Sequence, residues 1–160
     1  MSDPGSLLPS ALRDRGSYAL IRLAALVRQD CGEQLAPLGI TQAQHGILCC
    51  LDEFGPCFQK DVAARLGLDT GDLVAHLDGL QDAGHISRER DARDRRRQVL
   101  TITDSGRQIM RQAEAELDES SHGVLTLLSP VERAELHRLA TRVLLARSPT
   151  AWSAEQTGDG

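Results

Sequence analysis

The sequence predicts a mainly α-helical fold that carries one small β-hairpin. Only four of the 160 residues are aromatic, so the core must be built mainly from Leu, Val, Ile and Ala, which suits helices packed on helices. Residues that favour helix starts and helix ends recur along the chain. The hydrophobic pattern changes from helical spacing to that of short strands between residues 85 and 102.

Four helices are predicted before the hairpin, and most are bounded by a residue that favours a helix start or end. Thr41 and Gln44 form a capping-box pattern at the start of the second helix. Asp69 is placed to cap the free amides of the fourth helix, and Gly67 ends the third. The four helices are predicted over residues 17–35, 41–53, 59–66 and 69–84.

The hairpin and two further helices complete the order of elements. The segments HISRER and RQVLTI are predicted as short strands because Ile86, Val99 and Thr101 are β-branched, and the polar segment DARD connects them. A fifth helix starts at a Thr103 cap. A sixth starts at the pattern SPVE, with Ser at the cap and Pro in the first turn, and extends to about Arg147.

This order predicts a winged helix-turn-helix over about residues 41–103, in which a helix-turn-helix is followed by a hairpin wing. The flanking helices, at about 17–35 and 104–147, are apolar enough to need a partner. A second copy of the same chain is the simplest partner, so we expect these to be dimerisation helices.

Bulk properties predict one domain over residues 16–147, between flexible segments at 1–15 and 148–160. The longest apolar run, YALIRLAALV, is too short to span a membrane and contains Arg22, and the N-terminus shows no secretory signal. We therefore expect a cytoplasmic protein without a membrane partner. Its five His and four Cys show no metal-ligand or catalytic spacing, so we expect no enzyme activity, no cofactor and no metal.

Positive charge is concentrated in the segment RERDARDRRR, residues 88–97. It holds six arginines against three acidic residues, a net charge of +3 in a chain whose formal charge is −5, so the remainder carries −8. An acidic body with one basic spot indicates a local contact with an anionic partner.

The segment LDGLQDAGHISRERDARDRRRQVLTITDSG is similar, in one ungapped block, to the recognition-helix end, first strand, wing and second strand of a known family. The chain resembles the MarR family of bacterial winged-helix transcriptional regulators over about residues 17–147. The positions that carry the resemblance are Leu80, Gly84, Arg88, Asp91, Asp94, Arg95, Arg96, Leu100, Thr103 and Gly106.

The resemblance implies a sequence-specific DNA-binding protein, a homodimer held by the first, fifth and sixth helices. Two winged-helix lobes would then meet successive major grooves of a pseudo-palindromic operator. It also implies a repressor released by a small phenolic or aromatic ligand. Other members of the family respond instead to oxidation of a cysteine.

The wing holds the first candidate DNA-binding residues. Arg96 and Arg93 are predicted near its tip, where a guanidinium can enter the minor groove, and Arg95 and Arg97 are predicted to contact the backbone. A carboxylate facing phosphate is repelled, so Asp94 is expected to orient Arg96 by a charge-assisted hydrogen bond, as the resemblance also implies.

The fourth helix, the recognition helix, is poor in hydrogen-bond donors. Arg88, on the strand after it, is expected to reach a phosphate. The residues of the helix placed near base edges are Thr70, Gly71, Asp72 and His76. Because the helix is acidic, an alternative stays open, in which the dimer is a protein-binding adaptor without DNA readout.

A second set of candidate residues would bind the effector ligand or sense an oxidant. The resemblance places His45 near the family's ligand cleft, with Tyr18 and Phe58 as walls. The redox alternative has Cys57 and Cys31 as its candidates.

Overall fold

The structure, a computed structural model, describes residues 8–118 and 123–148. Over these residues the fold is mainly helical with one small antiparallel sheet, as the sequence predicts. The helices are α1 (Ser10–Arg13), α2 (Gly16–Leu35), α3 (Gln42–Phe54), α4 (Gln59–Leu66), α5 (Thr70–Asp82), α6 (Asp104–Glu116) and α7 (Pro130–Arg147). The strands are β1 (Cys57–Phe58), β2 (Ile86–Arg90) and β3 (Gln98–Ile102), and two 3-10 helices cover Ala36–Leu38 and Val124–Leu127.

The predicted helix caps are confirmed. Thr41, Asp69, Thr103 and Ser129 each precede a helix, and each side chain accepts a hydrogen bond from a backbone amide two or three residues further on. The Thr41 and Ser129 caps are full capping boxes, in which the side chain at the third helical position bonds back to the cap amide.

Some elements differ from the prediction. The hairpin gains a third strand, β1, whose Cys57 pairs with Leu100 and whose Phe58 pairs with Val99, so the strand order is β1-β3-β2. A two-residue strand is too short to show an alternating pattern, which explains why it was not predicted. The recognition helix α5 ends two residues before Gly84.

The terminal segments lie mostly outside the described residues. Within the segment 1–15, predicted to be flexible, the structure shows the one-turn helix α1 from residue 10. Residues 1–7 lie outside the described part, and so does the predicted flexible tail beyond residue 148. None of the helices in the described part is both long and apolar enough to cross a membrane.

The hydrophobic core lies inside the winged-helix lobe, where it fixes the recognition helix against the sheet. Three leucines of α5 point into it, and β3 contributes Leu100. The largest fully buried side chains are Leu35, Ile47, Leu48, Leu51, Val62, Leu73, Leu77, Leu80 and Leu100. Since this packing fixes α5 and the base of the hairpin together, helix and wing present one rigid surface.

The flanking helices show the opposite pattern. No residue of α7 is buried, although the helix is rich in Leu and Val. Val143 is 60% exposed, and Leu20 and Ile21 of α2 are 60% and 65% exposed. Apolar side chains at this exposure on two helices form a surface that a soluble protein normally covers.

Candidate DNA-binding site

The wing is a closed turn between β2 and β3. The Asp91 amide donates to the Arg97 carbonyl at 3.1 Å, and the Arg97 amide donates to the Asp94 carbonyl at 2.9 Å. The Asp91 side chain also accepts from the Arg93 amide at 3.1 Å. These short-range bonds give the turn a defined shape, so its arginines project from a fixed frame.

Asp94 organises two of those arginines. Its Oδ1 accepts from the Arg96 amide at 3.1 Å and from Arg96 Nε at 3.4 Å, and its Oδ2 lies 3.6 Å from Arg97 Nε. The predicted hydrogen bond between Asp94 and Arg96 is therefore present. The Arg96 side chain is still 93% exposed, so the contact aims the guanidinium without withdrawing it from solvent.

An open groove of about 1020 Å³ lies between the wing, the start of α4 and the start of α5. We call it the basic groove, because its lining holds six cationic side chains against the single carboxylate of Asp61. Arg97 also stacks over the Phe58 ring, with its guanidinium carbon 5.2 Å from the ring centre. The lining residues are Phe58, Gln59, Lys60, Asp61, Thr70, Val74, Arg88, Arg90, Arg95, Arg96, Arg97 and Gln98.

Lys60 and Arg90 belong to this groove but were not among the predicted DNA-binding residues. Arg90 ends β2 beside the wing, and its place in the arginine-rich segment was a usable signal. Lys60 is brought to the wing by the pairing of β1 with β3, a contact between distant parts of the sequence. Nothing local marks Lys60 as part of a basic surface.

The start of α5 is exposed but offers few donors. Thr70, Gly71 and Asp72 are exposed, and Thr70 alone of these three lines the basic groove. The Gly71 amide donates to the Asp69 carboxylate at 2.8 Å, so that amide is already satisfied. His76 is half-buried, and its carbonyl accepts from Gln44 Nε2 at 3.2 Å, which ties α5 to α3.

Arg88 is directed towards α5. Its Nε donates to Gln81 Oε1 at 2.5 Å, its guanidinium pairs with Asp78, and its side chain is only 14% exposed. In this structure Arg88 braces the recognition helix against β2. Its expected contact with a phosphate stays a prediction. Such a contact would require the guanidinium to be shared with Gln81 and Asp78 or to leave them.

Comparison with known proteins assigns the chain to a family. The model of the MarR family matches residues 38–97. The transcriptional regulator TtmR of Methylorubrum extorquens is 29% identical over 141 residues, which are 88% of this chain and 72% of TtmR. A mutant MarR from E. coli, solved with operator DNA, is 30% identical with a TM-score of 0.66, over 79% of this chain and 94% of that one. The chain belongs to the MarR family.

The solved structures of a transcriptional repressor are similar to most of this chain. The transcriptional repressor CouR, bound to a 23-mer DNA duplex, is 29% identical with a TM-score of 0.77, over 86% of this chain and 98% of CouR. A second CouR structure, bound to p-coumaroyl-CoA, is 28% identical with a TM-score of 0.73, over 89% of this chain and 99% of that one. The chain is thus a MarR-family transcriptional regulator and not an enzyme.

The three predicted ligand residues of this MarR-family chain lie on different elements, namely α2, α3 and β1. Phe58 lines the basic groove beside Arg97, whereas His45 is half-buried on α3 with its Nε2 3.4 Å from Cys49 Sγ. Burial lowers the pKa of His45, against the opposing effect of Glu114. Tyr18 is half-buried at the start of α2. The assignment of the three residues to one ligand pocket stays a prediction.

Two thiols on α3 have raised pKa values in the metal-free chain. Burial, with Glu114 as the next cause, raises the pKa of Cys49 to about 11, and burial together with Cys57 raises the pKa of Cys50 to about 11. Both are therefore protonated at neutral pH and are poor nucleophiles. The redox candidates Cys57 and Cys31 are half-buried, and the Cys57 thiol donates to the Gly55 carbonyl at 3.1 Å.

One cluster was missed at the sequence level. His45, Cys49 and the carboxylate of Glu114 on α6 place one ligand atom each within 4.8 Å of one another. The expected absence of a metal stays a prediction, although the fold brings these three side chains together. His45 and Cys49 are four residues apart on one helix face, but Glu114 arrives through the packing of α6 on α3.

Proposed function

We propose that the chain is a homodimeric repressor, acting in the cytoplasm, that binds a pseudo-palindromic DNA operator and is released by a small aromatic effector. The basic groove carries this proposal. It places six cations against one carboxylate in a chain whose overall charge is −5. A concentrated positive surface beside an exposed helix start fits a DNA duplex, whose major groove can admit the helix while the wing contacts the phosphate backbone.

The wing arginines are the groups we propose for DNA contact. Arg93 and Arg95 are exposed, and neither forms an ion pair with an acidic side chain in the described part of the chain. The Arg96 side chain is exposed to solvent, and its contact with Asp94 orients the guanidinium. An exposed and oriented guanidinium suits entry into a narrow minor groove. We assign Arg95 and Arg97, with Lys60 and Arg90, to the phosphates. The DNA-bound structures of CouR and MarR support this proposal.

Dimerisation is supported by the apolar surface of α2 and α7. Val143 and Leu139 lie four residues apart on one side of α7, and both are exposed. A two-fold interface that covers them would bury the same patch twice. Two lobes related in this way would read two half-sites, which is why we propose a pseudo-palindromic operator.

The proposal of an aromatic effector is supported by a ligand-bound structure of the similar repressor CouR. CouR is a repressor whose structure with p-coumaroyl-CoA holds a phenolic compound, and we propose an aromatic effector for this chain, with Tyr18 and His45 as contact candidates. The alternative is oxidation of Cys57 or Cys31. Replacing each of these with Ser, and asking whether peroxide still releases DNA, separates the two mechanisms.

The donor-poor start of α5 favours a second candidate function, a protein-binding adaptor. Asp69 and Asp72 repel phosphate, and one amide of the helix start is already used. If DNA is bound, the wing must therefore supply an unusually large share of the affinity.

Replacing Arg96 with Ala is expected to weaken binding to the chain's own upstream DNA by about 5- to 150-fold, because an inserted guanidinium contributes on the order of 1–3 kcal/mol. Fluorescence anisotropy of a labelled duplex measures the change. Arg111→Ala, at an exposed position on α6 outside the groove, is the matched control and should bind as the wild type does. Equal affinity of wild type and Arg96→Ala for this DNA would contradict the proposed wing contact.

A further inference from the structure

The cluster of His45, Cys49 and Glu114 has the composition of a transition-metal site. An imidazole, a thiol and a carboxylate converge within 4.8 Å. Mixed nitrogen, sulfur and oxygen ligands are typical of Zn²⁺ and its neighbours in the first transition row, whereas Mg²⁺ and Ca²⁺ take oxygen ligands alone.

The geometry is close to that of a loaded site. Two ligands of one tetrahedral Zn²⁺ with ordinary bond lengths lie roughly 3.3–3.8 Å apart. His45 Nε2 and Cys49 Sγ are 3.4 Å apart, already within that spacing. Glu114 is exposed on α6, so rotation of its side chain can close the remaining distance. Three protein ligands leave a fourth position for water or a small ligand.

The surroundings favour a cation. Asp52 and Glu53 on α3 are near enough to act on the Cys49 thiol electrostatically, and both carry negative charge. Arg107 pairs with Asp52 at 3.1 Å. Glu114 forms no ion pair with any side chain among residues 8–118 and 123–148, so its charge is available to a metal.

We propose that His45, Cys49 and Glu114 bind one divalent transition-metal ion of the Zn²⁺ class, which joins α3 to α6. α3 is part of the lobe core, and Gln44, next to His45, bonds to the backbone of the recognition helix. α6 is the helix that precedes Val124–Leu127 and α7 in the chain. The ion would therefore fix the lobe core to α6. This proposal stands or falls independently of the proposed DNA function.

Co²⁺ is the probe, because thiolate ligation gives it a charge-transfer band in the near ultraviolet. The metal-free full-length wild type is expected to bind one Co²⁺ per chain with that band, and Zn²⁺ should displace it. Cys49→Ser should abolish the band. Glu114→Gln should weaken binding at least about tenfold, since even an outer partner of a metal ligand contributes 10- to 100-fold.

Two matched variants separate this site from adventitious binding. Cys57→Ser removes another half-buried thiol, and Glu116→Gln removes another exposed carboxylate of α6; both should bind Co²⁺ as the wild type does. Zn²⁺ should raise the melting temperature of wild type and of Glu116→Gln equally, and that of Glu114→Gln by clearly less at the same Zn²⁺ concentration. Absence of the band, or a band kept by Cys49→Ser, would overturn the proposal and leave a simple thiol–imidazole hydrogen bond.

Discussion

Replacing Gly106 with Ala is expected to destabilise the fold by about 3 kcal/mol, at the upper end of the usual overpacking cost. Gly106 lies in the first turn of α6, where a Cβ atom would sit 2.1 Å from the His85 carbonyl oxygen and 2.8 Å from Ile102 Cγ1. The same carbonyl accepts a hydrogen bond from the Thr103 amide at 3.0 Å. The methyl group must therefore push α6 away from the base of the hairpin. Thermal unfolding measures the loss, on the order of 10 °C in melting temperature.

Gly46→Ala is the matched control, because Gly46 is also a helical glycine inside the lobe. A Cβ there would make only an ordinary contact, at 3.7 Å from Leu66 Cδ2. Alanine favours a helix interior over glycine by roughly 0.5–1 kcal/mol, so this variant should be as stable as the wild type or more so. If Gly106→Ala and Gly46→Ala have the same melting temperature, α6 is not packed against the His85 carbonyl as described.

Val143→Glu is expected to abolish dimerisation and, with it, operator binding. In a two-fold interface each copy would bury a new carboxylate, and the two charges would enter the same apolar patch. We expect the dimer dissociation constant to rise at least about a hundredfold, which corresponds to about 2.7 kcal/mol. Sedimentation equilibrium measures the assembly, and anisotropy measures the loss of DNA binding.

Ala134→Glu places the same charge nine residues earlier on α7, about 180° around the helix from Val143. It controls for added charge and for any effect on helix stability. We expect Ala134→Glu to assemble as the wild type does. If Val143→Glu stays dimeric with an unchanged dissociation constant, the exposed stripe of α7 is not the interface, and the two-lobed arrangement proposed for DNA loses its basis.

Local signals predicted the helices well. Thr41, Asp69, Thr103 and Ser129 cap the amides immediately after them, and such bonds involve residues two or three apart, so the sequence displays them directly. The bond between Asp94 and Arg96 was predictable for the same reason. The wing and its arginines could therefore be predicted without knowing which distant residues pack together.

Features formed by distant residues were not predictable in this way. β1 exists because two residues pair with β3 more than forty positions later, and this pairing brings Lys60 to the wing. Arg88 was expected to reach a phosphate, which stays a prediction, whereas its contacts with acidic and amide side chains of α5 were not predicted. Glu114 reaches His45 only through helix packing. Sequence periodicity carries no information about which side chains of two packed helices meet.

Sequence-specific recognition of DNA is the central claim, and an anisotropy titration tests it most directly. The purified full-length protein is titrated against its own upstream DNA and against a scrambled duplex of the same composition, at several salt concentrations. We expect the upstream DNA to bind at least about a thousandfold more tightly, with log affinity falling steeply and linearly with log salt as several phosphates are engaged. Equal and weak binding to both duplexes would contradict DNA readout and favour the adaptor function.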